Sequence, residues 1–203
     1  MARVISEKLL FVHVPKTGGT FVRELINLQG LCNYETGLFE EHDHKGISDL
    51  QEFKNLVSFG IIRKPYEWTI SRWKWGMYSE FEQKVKGGTK AKNHWMADVW
   101  SNDINEFLFN TINKRSGIAE ETMFNMLQIA KPNQVDYILK AENLKYDLIK
   151  LFIDELNVDL TNNFNKIKNN KTIKLNDDIK FPFFKEQIEK QNSNLINMYN
   201  EKN

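Results

Sequence analysis

The sequence predicts an α/β fold in which a central, mainly parallel sheet is flanked by helices. Residues 9–14 and 56–62 form predominantly apolar runs, which are typical of strands that are buried on both faces. Each run is followed by apolar residues at helical spacing, and strands that alternate with helices favour a parallel sheet. A chain of 203 residues is long enough for one buried core but too short for two ordinary domains. We therefore expect a single domain over residues 1–203.

The first predicted strand leads through a glycine turn into a helix. The run at residues 9–14 stops at Pro15, and the pair Gly18 and Gly19 follows. Gly30 then supplies a signal for the end of the helix. Between Gly19 and Gly30, apolar residues recur at helical spacing: Phe21, Val22, Leu25, Ile26 and Leu28. This part of the chain is therefore predicted to fold as strand, turn and helix.

Two further pairs of strand and helix are predicted. The run at residues 56–62 ends before Arg63, and Pro65 suits the first turn of the helix that follows. The third predicted strand spans residues 135–139, and Asn143 is expected to cap the helix after it. That helix places four apolar residues on one face: Leu144, Leu148, Leu151 and Phe152.

Helices are also expected around residues 104–111 and 122–130, and Pro132 ends the second of these. The last part of the chain carries one helical stripe of apolar residues, formed by Phe184, Ile188, Leu195 and Tyr199. We expect this stripe to belong to one helix that docks on the sheet. The polar stretch at residues 162–180 shows the weakest structural pattern.

Composition and charge narrow the classes of function. Apolar residues make up 41% of the chain and charged residues 27%, which is typical of soluble globular proteins. The formal net charge of +1 provides no general attraction to nucleic acid, so we expect no nucleic-acid partner and local binding of a small anion. The apolar runs are too short to span a membrane, and the single cysteine, Cys32, suits a reducing compartment. We expect a soluble, cytoplasmic protein with no membrane partner, and we assign Cys32 no role.

The segment HVPKTGGT at residues 13–20 has the composition of an anion cradle. It places a lysine, two threonines and two glycines between a buried strand and a helix. Glycines let the backbone approach an anion closely, while free amides and the positive end of the helix dipole face it. The segment is not an ATP-type loop, because Lys16 precedes both glycines, whereas that loop has its lysine after the second glycine.

A second candidate anion-binding motif lies in the segment IIRKPYEWTIS. Arg63 follows the second predicted strand, and Ser71 lies in the helix after it. At about 1.5 Å per residue, Ser71 lies roughly 9 Å along that helix, within the joint reach of an arginine side chain and a phosphate. We therefore expect Arg63 and Ser71 to bind one anion.

Together the two motifs resemble those of the sulfotransferases that use 3′-phosphoadenosine 5′-phosphosulfate (PAPS). In that family a P-K-x-G-[GT]-T loop holds the 5′-phosphosulfate, and an R-x-P-x5-S segment holds the 3′-phosphate. The chain matches the second pattern with Arg63, Pro65 and Ser71. Residues 137–144, YILKAENL, are similar to the family's strand that ends at an acidic residue before a helix. The first pattern is matched by Pro15, Lys16, Thr17, Gly18, Gly19 and Thr20.

The resemblance implies a P-loop-type three-layer fold related to that of nucleotide kinases, formed by a single sulfotransferase domain over residues 1–203. It implies transfer of a sulfuryl group from PAPS to a hydroxyl acceptor, with adenosine 3′,5′-bisphosphate (PAP) as product and no required metal. Lys16, Arg63 and main-chain amides would neutralise the phosphate charge. The pattern is nearest to the branch that sulfates heparan uronic acids, so the expected acceptor is a carbohydrate or another small molecule.

In sulfuryl transfer negative charge grows on the leaving oxygen and must be stabilised, and the acceptor hydroxyl must lose its proton to a base. Lys16 and its loop amides are placed to meet the charge on the leaving oxygen. The heparan branch has a His-x-His between the two motifs, with histidine as the base. By that likeness His44 is the expected base and His42 the second choice. Other branches use a glutamate, so the carboxylates of the same segment remain rivals: Glu35, Glu40 and Glu41.

The other histidines and the tryptophans give weaker signals. His13 lies within the first predicted strand and is expected to pack in the core, whereas His94 is expected to be exposed to solvent. The five tryptophans are Trp68, Trp73, Trp75, Trp95 and Trp100. We expect each to pack in the core, although such a cluster also suits a pocket for a sugar or a ring-bearing acceptor. The lysine-rich stretch at residues 84–94 is either a solvated loop or a lid over the cofactor.

Two other functions fit parts of this pattern. A nucleotide or small-molecule kinase would use the same scaffold, but the ATP-type lysine and a clear magnesium carboxylate after an apolar strand are missing from the sequence. A catalytically inactive nucleotide-binding protein would keep the anion cradle without the chemistry. Both functions are retained as alternatives.

Overall fold

The computed structural model describes residues 3–31, 46–79, 81, 86, 94–167 and 181–201. The chain divides into two compact units. The sheet unit comprises Met1–Arg63 and Thr122–Asn170, and the helical unit comprises Lys64–Glu121 and Lys171–Asn203. The single domain expected from the chain length stays a prediction.

Within the described residues, the sheet unit contains a four-stranded mixed sheet. Its strands are β1 (Arg3–Ile5), β2 (Leu9–Val12), β3 (Val57–Ile62) and β4 (Tyr137–Lys140), in that order across the sheet. β1 is antiparallel to β2, whereas β2 pairs with β3 and β3 with β4 in parallel. The predicted α/β fold with a mainly parallel sheet flanked by helices is therefore confirmed. The sequence pattern does not predict β1, because its three residues are too few to form a recognisable apolar run.

The helices expected from the apolar spacing are present, with ends that differ by a few residues from the predicted ones. The α-helices in the described part of the chain are α1 (Gly19–Leu28), α2 (Pro65–Tyr78), α3 (Ile104–Lys114), α4 (Ile118–Leu127), α5 (Leu144–Leu156), α6 (Pro182–Gln191) and α7 (Ser193–Glu201). Short 3-10 helices lie at Ile47–Asp49, Gln51–Phe53, Trp95–Asp98, Ala141–Asn143 and Thr161–Lys166. Among the residues described, no helix has both the length and the apolar character needed to cross a membrane.

The core of the sheet unit holds α1 and α5 against the strands. Phe11 of β2 stacks on Phe59 of β3 with ring centroids 5.0 Å apart. Phe59 in turn meets Phe152 of α5 edge to face at 6.5 Å. The buried face of α1 joins this cluster through Val22, Leu25 and Ile26. Burial of each such side chain stabilises the fold by about 1.5–3 kcal/mol, so this cluster holds α1 against the strands.

The register of the parallel strands brings their carboxyl ends to one edge of the sheet. Val12 of β2 is level with Gly60 of β3. Asp136, just before β4, braces β3 from the other side, because its carboxylate accepts hydrogen bonds from the Ser58 backbone N–H and hydroxyl at 2.7 and 2.8 Å. The segments that follow β2 and β3 therefore leave the sheet side by side.

The helical unit has its own apolar core. Its α6 packs against α2 and α3. The buried residues of this core are Trp73, Phe81, Met96, Val99, Phe107, Leu108 and Ile188. The packing partners of α6 thus include two helices of the same unit, whereas the sequence pattern predicts docking of the C-terminal stripe on the sheet.

The C-terminal stripe also forms two helices where the sequence pattern predicts one. The chain turns at Asn192, whose side-chain amide donates to the Ile188 carbonyl at 2.7 Å and whose side-chain oxygen accepts from the Glu120 N–H at 2.8 Å. The Glu120 carboxylate accepts from the Leu195 N–H at 3.0 Å in the first turn of α7. These bonds end α6 and fix the start of α7.

Candidate functional site

The glycine loop between β2 and α1 has a backbone suited to an anion. Lys16 and Gly18 both have positive φ values, 67° and 113°, which place them in the left-handed region. Gly18 is the N-cap of α1, and among the described residues no side chain accepts a hydrogen bond at this cap and no acidic residue lies in the first turn. The N–H groups at the start of α1 therefore lack side-chain acceptors, a condition that favours binding of an anion.

Side chains within the loop stabilise this backbone. Thr17 is buried, 1% exposed, and its hydroxyl donates to the Val14 carbonyl at 2.8 Å. This hydroxyl braces the loop, so the part of Thr17 that suits an anion is its backbone N–H. Thr20, also predicted to bind the nucleotide, is half-buried in the first turn of α1.

Close packing explains both glycines of the loop. A Cβ atom at Gly18 would lie 2.8 Å from Leu144 Cδ2, and the left-handed φ of Gly18 also disfavours a side chain. A Cβ atom at Gly19 would lie only 2.0 Å from the His13 imidazole. His13 is half-buried and tilts against the Phe11 ring, with centroids 5.7 Å apart. The imidazole of His13 thus lies directly against the start of α1.

Arg63 connects the two predicted motifs. It follows β3 at the same edge of the sheet, is half-buried, and donates from Nη1 to the Lys16 carbonyl at 3.2 Å. The structure therefore brings Lys16 and Arg63, which are distant in sequence, into contact within the sheet unit. Ser71, the third predicted anion ligand, lies in α2 of the helical unit and is buried, 9% exposed.

The predicted catalytic base lies outside the described residues. This holds for His44 and His42 and for their glutamate rivals, Glu35, Glu40 and Glu41. Cys32 also lies outside them, as does most of the lysine-rich stretch at residues 84–94. The roles assigned to these residues stay predictions.

A buried arginine in the helical unit is the main feature that the sequence reasoning missed. Arg72 is 6% exposed, and its guanidinium lies over the Trp68 ring at 4.8 Å from the centroid. Its Nε has no hydrogen-bond partner in the part of the chain that the structure describes, and burial lowers its pKa to about 9. Burial of a charge costs several kcal/mol, whereas a cation–π contact returns about 2 kcal/mol. The spacing of Trp68 and Arg72, one helical turn apart, is a signal that could have identified this pair.

His94 is partly buried, and the expectation that it is exposed to solvent is wrong. It is half-buried beside the rings of Trp75, Phe81 and Trp95, with centroid distances of 6.3, 5.6 and 5.7 Å. Its Nδ1 accepts a hydrogen bond from the Met96 N–H at 3.2 Å and caps the 3-10 helix Trp95–Asp98. Burial, with the positive charge of Arg72 as a second cause, lowers the pKa of His94 to about 4.

The tryptophans divide into two groups. Trp68 and Trp73 are buried, as expected for core residues, whereas Trp75, Trp95 and Trp100 are half-buried. The buried ring of Trp68 stacks on the half-buried ring of Trp95, with centroids 5.8 Å apart. The helical unit therefore presents aromatic surface next to the Arg72 guanidinium.

The residues described contain no group of three or more histidine, cysteine or acidic side chains that could hold a metal ion.

Comparison of the chain with protein-family models, with curated proteins and with solved structures found no match. The site is therefore interpreted from its own residues.

We predict that Gly19→Ala destabilises the protein by about 1–3 kcal/mol, because the added methyl group collides with the His13 ring. In a His13→Ala background the same change should be neutral or slightly stabilising, since the collision is gone and alanine favours the helix. Urea unfolding of the two single variants and the double variant measures this difference. An equal effect of Gly19→Ala in both backgrounds would contradict the packing.

We also predict that His94 makes stability depend on pH. The folded protein keeps His94 neutral down to a pH of about 4, whereas in the unfolded chain it takes up a proton below about 6.5. The free energy of unfolding should therefore fall as the pH falls through this window. His94→Asn keeps an acceptor for the Met96 N–H but does not titrate, so its thermal unfolding temperature should fall less. Identical pH profiles of the two proteins would show that His94 makes no such contribution.

Proposed function

We propose that this chain is a PAPS-dependent sulfotransferase with a P-loop-type fold. The contact between the Arg63 guanidinium and the Lys16 carbonyl, at the carboxyl ends of two adjacent parallel strands, is the observation that carries the proposal. Ligands of open α/β sheets bind at such strand ends. The proposal joins this geometry to the two sequence motifs that resemble those of the family.

The residues of the loop fit the phosphosulfate end of the nucleotide. Gly18 and Gly19 let the start of α1 pack closely against Leu144 and His13, and the N–H groups there have no side-chain acceptor among the residues described. Lys16, Thr17 and Thr20 complete the segment predicted to hold the 5′-phosphosulfate. Such a loop would bind an anion through main-chain donors and one lysine charge, without a metal ion.

Arg63 would hold the 3′-phosphate, and the role that the sequence motif assigns to Ser71 stays a prediction. Arginine suits this role because its planar guanidinium can donate two parallel hydrogen bonds to phosphate oxygens. Arg63 also donates a hydrogen bond from Nη1 to the Lys16 carbonyl, so it already contacts the segment predicted to hold the phosphosulfate. The same side chain would thus position the glycine loop and contact the nucleotide.

The chemistry divides between two groups of the chain. PAPS supplies the activated sulfuryl group. Lys16 and the loop amides would stabilise negative charge at the leaving oxygen, and His44 would remove the proton of the acceptor hydroxyl, with His42 as the second choice. The acceptor class that the resemblance favours is a carbohydrate or another small hydroxylated molecule.

We predict that PAP stabilises the protein against heat and that ATP with magnesium does not. At 100 times its dissociation constant a ligand adds about 2.7 kcal/mol, which a thermal melt detects. Arg63→Ala should weaken PAP binding by about tenfold or more, through loss of a charged hydrogen bond. Arg23→Ala, an exposed position on α1, is the matched control and should bind PAP as the wild type does.

Adenosine 5′-monophosphate, which lacks the 3′-phosphate, separates two roles of Arg63. If Arg63 contacts the 3′-phosphate, Arg63→Ala removes the advantage of PAP over the monophosphate. If it only braces the loop, both nucleotides lose affinity equally, and the assignment of Arg63 to the 3′-phosphate is wrong. A selective response to ATP with magnesium would instead favour the kinase alternative.

We predict that His44→Ala lowers turnover at least about a hundredfold and leaves PAP affinity unchanged, because a general base contributes about 10² to 10⁴ in rate. Turnover is measured with labelled PAPS and a panel of hydroxylated carbohydrates and phenols. His42→Ala is the matched comparison and should retain more activity. Turnover of His44→Ala at the wild-type rate would rule out His44 as the base. Selective PAP binding without turnover of any acceptor would favour the inactive nucleotide-binding alternative.

A further inference from the structure

Arg72 lies in the helical unit as a buried cation without a described anionic partner. Its guanidinium contacts the face of Trp68, and its Nε has no acceptor among the residues described. Glu67 lies five residues earlier in α2, about 140° around the helix from Arg72. The buried Oε2 of Glu67 also lacks a partner in the described part of the chain, so the two side chains do not neutralise each other. Since a cation–π contact returns less than burial of the charge costs, an anionic acceptor at the Arg72 guanidinium would stabilise it.

His94 supplies a second donor beside the same face of α2, because its ring lies 6.3 Å from that of Trp75, which follows Arg72 by three residues. Its Nδ1 accepts the Met96 N–H, so the proton of the neutral imidazole is on Nε2. Burial, with the positive charge of Arg72 as a second cause, lowers the pKa of His94 to about 4, so the imidazole is neutral at pH 7. Arg72 and the neutral His94 therefore provide hydrogen-bond donors where an anionic group would be stabilised.

The surroundings of these two donors are aromatic. Trp95 stacks on Trp68, and Trp75 lies beside His94. Both Trp75 and Trp95 are half-buried, so part of each indole remains accessible. Flat rings pack well on such indole surfaces, whereas a small inorganic anion would leave them uncovered.

We propose that Arg72 and His94 form a binding site for a small aromatic carboxylate, whose charged group accepts hydrogen bonds from both side chains and whose ring packs on Trp75 and Trp95. The proposal does not depend on the sulfotransferase activity, because it uses only residues of the helical unit. It assigns to this unit a ligand class of its own.

Sodium benzoate tests the proposal, with benzamide as the neutral molecule of the same shape. Tryptophan fluorescence of the full chain reports binding directly, since indoles form the site. We expect a saturable change with benzoate and none with benzamide at the same concentrations. Arg72→Met should weaken the benzoate response by about tenfold or more. Arg115→Met is the matched control, because Arg115 is an exposed arginine of the same unit that pairs with Asp98, and it should respond as the wild type does.

Stability of the ligand-free protein gives a second, independent result. If Arg72 is a ligand-binding residue, its charge is unpaired in the ligand-free protein. Arg72→Met then removes an unpaired buried charge, and the melting temperature of the variant should equal or exceed that of the wild type. If Arg72 serves only the packing of Trp68, Arg72→Met lowers the melting temperature and the wild type does not respond to benzoate. Arg72→Lys, which keeps the charge but loses the planar donors, should also bind benzoate more weakly. Absence of a saturable response in the wild type, or an equal response in the Arg72 variants, would overturn the proposal.

Discussion

The hydrogen bond from the Arg63 guanidinium to the Lys16 carbonyl is the contact on which the candidate site of the sheet unit depends. It joins two segments that are 47 residues apart in sequence, and only the parallel pairing of β2 with β3 brings them together. The core formed by Phe11, Phe59 and the helices behind them maintains that pairing. Packing of the sheet is therefore the condition for any shared role of Lys16 and Arg63.

Much of the sheet unit could be predicted because its signals are local. The apolar runs at residues 9–14 and 56–62 identify β2 and β3, and the prolines after them indicate where each strand stops. The break between α6 and α7 could not be predicted in this way. It depends on the Asn192 side chain, which accepts a hydrogen bond from the Glu120 N–H, 72 residues away in sequence. The spacing of apolar residues does not indicate such a long-range hydrogen bond.

For the candidate sites, too, some residues could be predicted from local sequence signals and others could not. Lys16 and Arg63 could be identified because each lies in a short motif whose residue types suit an anion. Arg72 and His94 were missed or placed wrongly, because burial depends on the tertiary fold and an arginine in a helix is usually solvated. Only their surroundings distinguish them, namely Trp68 under the guanidinium and the rings around the imidazole.

Each unit contains one feature that lowers the stability of the fold: the backbone conformation of Lys16 in the sheet unit and the buried charge of Arg72 in the helical unit. In the sheet unit the cost is in the backbone, since a left-handed conformation of a residue such as Lys16 costs about 1–2 kcal/mol. Asn157 has the same conformation, but it ends α5 as an ordinary helix cap. Its backbone N–H donates to the Ile153 carbonyl, and the Val158 N–H donates to the Phe152 carbonyl.

Lys16 instead precedes a helix start whose N–H groups lack side-chain acceptors among the residues described. In the helical unit the cost is electrostatic, because burial removes the charge of Arg72 from water and no described residue neutralises it. An anion bound as proposed would offset both costs, by accepting hydrogen bonds from backbone N–H groups in the sheet unit and by pairing with the guanidinium in the helical unit. A strained backbone or an unpaired buried charge that a ligand would stabilise is typical of a binding site. For this reason we propose an anion as the ligand at both Lys16 and Arg72.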